Sequence, residues 1–210
     1  MSEDYVKLKE IRQDFYKLRN FEISNLWQRS IFLFSMILLL FTGYGNLVFK
    51  LLEKNENTLL IHELCCFVAL LGFVFSLIWI MMAKGSKAWF EVYEKKITSI
   101  EEILQINEIW RMGSRCTPHE LDDNLLKRNA GPYSVSKLNI FIGQILVFVW
   151  LLIVIIHYII IFKFSGSINI EELLIVCVPM LLIIIITTAY NNRWAKSTSL
   201  EKEENSVTAK

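Results

Sequence analysis

The chain has almost none of the residue patterns that carry catalysis. It contains no Gly-x-Ser-x-Gly elbow, no His-Glu-x-x-His helix and no Walker-type phosphate loop, so serine hydrolases, zincins and P-loop nucleotidases lack their defining groups here. No nucleophile, base and stabiliser can be grouped from what remains, and the chain reads as non-enzymatic. Cysteine is also sparse. Cys65 and Cys66 are adjacent, Cys116 and Cys177 stand alone, and this spacing gives neither a disulfide framework nor a Cys-x-x-Cys pair. All four are expected to be reduced packing residues. Cys116 and His119 could form half of a zinc site, but no second half lies nearby, so neither metal nor cofactor is expected. A net charge of +1 with acidic and basic residues interspersed leaves no polybasic patch for lipid headgroups and no support for nucleic-acid binding.

The absence that organises the sequence is one of charge. Four apolar stretches, Ile31 to Phe49, Leu64 to Ala83, Leu138 to Phe162 and Leu173 to Tyr190, carry no Asp, Glu, Lys or Arg. At roughly 1.5 Å per helical residue each is about long enough to cross a hydrocarbon core of about 30 Å. An all-α, four-pass transmembrane protein is expected. Uncharged span interiors argue against a transporter or pump built on carboxylate relays.

Basic residues set the orientation, because short translocated loops lack Lys and Arg. Lys7, Lys9, Arg12, Lys17, Arg19 and Arg29 precede the first span; Lys84, Lys87, Lys95, Lys96, Arg111, Arg115, Lys127, Arg128 and Lys137 lie between spans two and three; Arg193, Lys196, Lys202 and Lys210 follow span four. Only Lys50, Lys54 and Lys163 fall on the other side. Both termini and the central segment are therefore expected in the cytoplasm. The first span is expected to be retained, since 30 polar residues precede it and no small-residue cleavage site follows Leu47.

This gives five expected segments: a cytoplasmic amphipathic helix over 1–30, a transmembrane hairpin over 31–83, a cytoplasmic helical module over 84–137, a second hairpin over 138–190 and a polar tail over 191–210. The first segment has an apolar stripe of Leu8, Ile11, Phe15 and Leu18. After span two, Lys84-Gly85-Ser86-Lys87 is expected to turn the chain into a second stripe of Trp89, Tyr93, Ile97, Ile100 and Leu104. Glu91, Glu94, Lys95, Glu101 and Glu102 fall on its other faces. Glu91 and Lys95 are ordered for an i, i+4 pair. This helix is expected to run on through Trp110, with Gly113 as its stop. Thr117-Pro118-His119-Glu120 reads as a capped start of a short helix to about Arg128, and Gly131-Pro132 as its end. Both stripes need cover, supplied by the protein's own cytoplasmic helices, by neighbouring subunits or, for the first stripe, by the headgroup layer, and both are expected to hold subunits together. Trp27, Trp79 and Trp194 sit near the inner boundary as interfacial anchors.

Span three repays closer reading, because polar groups inside a membrane face protein or water. Asn139, Gly143, Leu146, Trp150 and His157 fall within about 40° of one direction on a helix. That face lines a pore or proton path, or else an interhelical interface where Asn139 and His157 find partners. Gln144 points elsewhere. Gly43-Tyr44-Gly45 reads as a packing or bending element rather than a nucleotide site, and Pro179 as a kink in span four.

The segment Gly85-Ser86-Lys87-Ala88-Trp89-Phe90-Glu91-Val92-Tyr93-Glu94, followed by Ile97 and by Glu101 and Glu102, resembles the RipA-like family of small octameric bacterial inner-membrane proteins. Tyr133-Ser134-Val135-Ser136-Lys137-Leu138-Asn139, followed by Trp150, is a second similar piece. Ile100-Glu101 stands where the family pattern has Leu-Glu, and the N-terminal stripe and polar tail lie outside the resemblance. What it implies is a homo-oligomer, eight subunits by the family's pattern, in a bacterial cytoplasmic membrane. The resulting expectation is a self-assembling scaffold or stress-related membrane component whose partners are its own copies and the lipid bilayer. The alternative is a channel or membrane-permeabilising effector gated through the cytoplasmic helices.

Overall fold

The computed structural model describes residues 3–53, 58–107, 110–112 and 134–165. The expected fourth span with Pro179, the polar tail and the capped helix after Thr117 lie outside the described residues. So do Cys116, Cys177 and Trp194. What is described is helical, with no strand among the described residues: α1 Glu3–Leu52, α2 Thr58–Ile103 and α3 Val135–Ser165. All three are long and apolar enough to cross a membrane, with mean hydropathies of 2.0, 2.6 and 3.1 over their most apolar stretches.

The helices run uninterrupted because nothing in them can stop one. Pro118, Pro132 and Pro179 all fall outside the three helices, so no backbone donor is missing and no ring clashes with a preceding carbonyl. Glu3 and Asp4 complement the partial positive charge of the first turn of α1, and Lys50 its last turn. The turn expected at Lys84-Gly85-Ser86-Lys87 does not occur, and α2 passes through these residues as helix. One glycine costs a helix only about 1 kcal/mol, far less than the packing on either side returns.

The expected continuation to Trp110 also fails, because α2 ends at Ile103. Gln105 takes a left-handed φ of 51°, which lets the Ile106 N–H reach the Glu101 carbonyl at 3.1 Å and the Gln105 N–H reach that of Glu102 at 3.0 Å. This is the double closure of a Schellman stop, made by a glutamine where glycine is usual.

The chain divides into two compact units, Met1–Ser30 with Met82–Ile140, and Ile31–Met81 with Phe141–Lys210. The first holds the charged parts of α1 and α2. The second holds their apolar parts and most of α3.

Candidate functional site

In the first unit, α1 and α2 run antiparallel and meet through charge. Arg12 donates to Glu101 Oε1 from Nε at 3.0 Å and from Nη2 at 2.6 Å. Arg19 repeats the grip on Glu94 at 2.9 and 2.7 Å. Seven residues forward on α1 match seven back on α2, two helical turns in each. Between the pairs, the Phe15 ring lies 6.2 Å from that of Tyr93, which stacks on Trp89 at 5.9 Å.

Glu101 is the centre of this unit. Its side chain is fully buried, although it falls off the apolar stripe that the sequence marks on this helix. Besides Arg12, it accepts from the Tyr16 hydroxyl at 3.0 Å on Oε1 and from the Met112 backbone N–H at 2.7 Å on Oε2. Burial alone would raise its pKa. The Met112 N–H, Arg12 and Tyr16 together outweigh burial and hold it below the ordinary carboxyl value. Its charge in turn raises the Arg12 guanidinium against the opposing effect of burial, while burial and then the bond to Glu101 raise the Tyr16 phenol. One carboxylate therefore joins α1, α2 and the segment that follows α2.

The expected apolar stripe of α1 is split, with Leu8 and Phe15 on or beside the packing face and Ile11 and Leu18 turned away from it. At 100° per residue, Arg12, Arg19, Leu26 and Ser30 centre the inward face, while Ile11 and Leu18 point about 90° away from it. Leu8 and Phe15 are half-buried, and Ile11 and Leu18 are exposed. Ile97 and Ile100 on α2, and Leu104 just past its end, are buried within the chain, whereas Trp89 and Tyr93 are half-buried. Glu91 pairs with Lys87 at 3.0 Å rather than with Lys95. Asn139, at the start of α3, donates to Ser30 Oγ at 2.8 Å, and Arg29 donates to Ser86 Oγ at 3.4 Å.

In the second unit, the polar face of α3 turns toward α1 and α2. Gly143 is buried, and a Cβ there would come within 2.7 Å of Ile80 Cγ1 and 3.2 Å of Trp79 Cδ1, so a bare glycine is required for the approach. Trp79 is consequently buried within the unit, whereas Trp27 is exposed. Trp150 is fully buried, stacked on Phe41 at 4.2 Å, with its indole lying against Gly72. Its Nε1–H has no hydrogen-bond partner. Leu146 is half-buried, and Gln144 is exposed.

His157, two turns beyond Trp150, is buried between two further partners that the sequence did not point to. Tyr44 Oη lies 3.1 Å from its Nε2, and His62 Nδ1 lies 2.9 Å from its Nδ1. Tyr44 thus serves as a polar contact, while a Cβ added at Gly43 or Gly45 would meet nothing within 4 Å. Among the described residues nothing stands in the way of a side chain there, and α1 continues through both glycines as helix. Cys65 and Cys66 are free and buried. Cys66 joins Leu70 and Ile161 in an apolar cluster with Leu59 and Val154 at its edge.

No group of three or more His, Cys, Asp or Glu among the described residues is arranged to hold a metal ion. The arrangement is suited to binding helices together: a charge ladder of two-donor arginine–glutamate pairs in one unit, and an aromatic and imidazole seam in the other.

Residues 9–160 match the octameric membrane protein family, 8xMP. The match takes in the N-terminal stripe from Ile11 onward, both segments that carry the resemblance and the whole imidazole seam. No curated protein and no solved structure matches the chain.

Proposed function

The chain belongs to the octameric membrane protein family, and from that premise we propose that it is a four-pass, self-assembling scaffold of a bacterial cytoplasmic membrane. In this reading both termini and the segment between spans two and three face the cytoplasm. Assembly, not chemistry, is its activity, and its partners are its own copies and the surrounding lipid.

The observation that carries this reading is the exposure of Ile11, Leu18 and Phe21, which precede the apolar run of α1 and stand among charged residues. No lipid tail is available to such a strip outside the membrane. A neighbouring copy covers it at the gain expected for burying apolar surface, about 25 cal/mol per Å². Ile97, Ile100 and Leu104, buried within the chain, give the subunit its own core and leave the Ile11 side of α1 for assembly.

A conduit is the competing reading. It draws on the polar face of α3, but Gly143, Trp150 and His157 are occupied by contacts inside the chain, which leaves little of that face to line a pore. Reconstitution of the purified oligomer in liposomes separates the two. No ion flux is expected; steady flux that is lost on His157→Leu or Asn139→Leu would overturn the scaffold reading.

A further inference from the structure

We propose that Tyr44, His157 and His62 form a proton-binding latch, which holds the three helices together with no proton or one proton added and parts when a second is added. The inference goes beyond the scaffold reading and rests only on its placement of α1, α2 and α3 as membrane spans. Each helix supplies one member, close to where α1 ends and α2 begins.

The argument starts from valence. Two Nδ1 atoms 2.9 Å apart share one hydrogen at most, so one imidazole donates and the other accepts. Two neutral arrangements satisfy the chain. In one, Tyr44 donates its hydroxyl hydrogen to His157 Nε2, and His157 Nδ1–H donates to His62 Nδ1. In the other, His62 Nδ1–H donates to His157 Nδ1, and His157 Nε2–H donates to the Tyr44 oxygen. Concerted movement of the two hydrogens, Oη to Nε2 and Nδ1 to Nδ1, requires rebonding at both ends, so the arrangements interconvert by exchange with water or neighbours.

A single added proton fits without moving a heavy atom, the Tyr44 hydroxyl hydrogen turning away from His157 Nε2. His157 as imidazolium donates from Nε2 to the Tyr44 oxygen and from Nδ1 to His62 Nδ1, and every bond remains. A second proton cannot be placed. It would occupy His62 Nδ1, set two N–H groups head to head at 2.9 Å and put two positive charges in adjacent rings whose centroids are 5.1 Å apart. The link between α2 and α3 then breaks.

Among the described residues, the following groups face the site. Tyr44 faces it from α1, with its ring edge-on to both His157 and Trp150. From α2 come Cys65, which lies beside Tyr44, and Cys66, which packs toward Ile161. Glu63 follows His62 but lies about 100° round the helix. The nearest formal charges on α1 and α3, Lys50 and Lys163, stand six residues beyond Tyr44 and His157, about 9 Å along each axis. Imidazole is the side chain that mild acid charges once it meets water, so acidification favours the parted rings over the joined ones.

The test compares thermal unfolding of the full-length oligomer in lipid nanodiscs at pH 7.5 and pH 5.0. The wild-type midpoint is expected to fall by about 4 °C or more, and His62→Gln, which keeps an amide for hydrogen bonding but does not titrate, is expected to lose at least half of that fall. An equal fall in the variant, or none in the wild type, overturns the latch. If His62→Gln does not assemble, 15N spectra of histidine-labelled wild-type protein decide. Coupling between the two Nδ1 nuclei across the shared hydrogen is expected at pH 7.5 and should vanish at pH 5.0; its absence at pH 7.5, or its persistence at pH 5.0, overturns the latch. Flotation of the protein with liposomes, scored separately, reports whether the membrane placement itself holds.

Discussion

Arg12 and Glu101, 89 residues apart in sequence, form a two-pronged ion pair whose carboxylate is wholly buried. The guanidinium edge is what makes the pair geometrically specific, because two N–H donors converging on one carboxylate oxygen fix both distance and orientation. Removing the cation leaves a buried charge held only by Tyr16 and the Met112 N–H. Arg12→Ala is therefore expected to destabilise the subunit by about 2 to 3 kcal/mol, and Arg12→Lys, which keeps charge but not the fork, by roughly half as much. Chemical denaturation of the full-length protein in detergent checks both. Equal stability of all three proteins would show that the pair is a surface ornament.

Acid should act on this unit at its own pH. Because the Glu101 pKa is lowered on folding, its contribution is complete above the ordinary carboxyl value of 4.5 and is lost as pH falls through the lower folded value. Unfolding of wild type is expected to become steeply pH-dependent below about pH 4.5, and a Glu101→Gln variant, already weaker at neutral pH, should show a flatter profile there. A variant with an unchanged acid limb would assign that limb to other carboxylates.

The seam between α2 and α3 depends on a missing side chain. Trp150 lies directly on Gly72, and a Cβ at that position would meet the indole six-membered ring. Gly72→Ala should cost about 1 to 3 kcal/mol, the range for overpacking a filled site, and Gly72→Ala with Trp150→Phe should recover part of it. Gly85→Ala, where a Cβ meets nothing, should instead be neutral or slightly stabilising. Melting of the three variants against wild type checks the ordering.

Much of this was legible in sequence, and the exceptions share a cause. The apolar runs locate the three helices because a membrane span needs an uninterrupted stretch of hydrophobic residues. His157 and Trp150 stand out because a polar or aromatic group inside such a run has to meet something. Their partners do not stand out. Tyr44 and His62 look unremarkable until three helices are brought together, and nothing local distinguishes Glu101 from the solvated Glu102 beside it. The packing face of α1 is displaced from its apolar stripe for a related reason: periodicity selects Leu8, Ile11, Phe15 and Leu18, of which Leu8 and Phe15 are half-buried, whereas the face is centred on Arg12 and Arg19, whose guanidinium groups are satisfied by carboxylates on α2. Periodicity finds a face buried by hydrophobic contact but misses one buried by paired charge.

The proposed orientation is open to direct labelling. Cysteines placed at Asn55 and Ser167, in the two short connections between spans, are expected to react with a membrane-impermeant maleimide from outside intact cells. Labelling that requires opened cells at either position would invert or break the four-pass arrangement.

The central claim is that copies of this chain assemble through the strip of α1 that faces neither its own α2 nor the apolar core. Mass photometry of the full-length protein in detergent, wild type against Ile11→Lys with Leu18→Lys, tests it most directly. Wild type should run as an oligomer of the size its family describes, eight subunits, and the variant, folded by circular dichroism, should fall to smaller species. A folded variant of unchanged mass would contradict the claim.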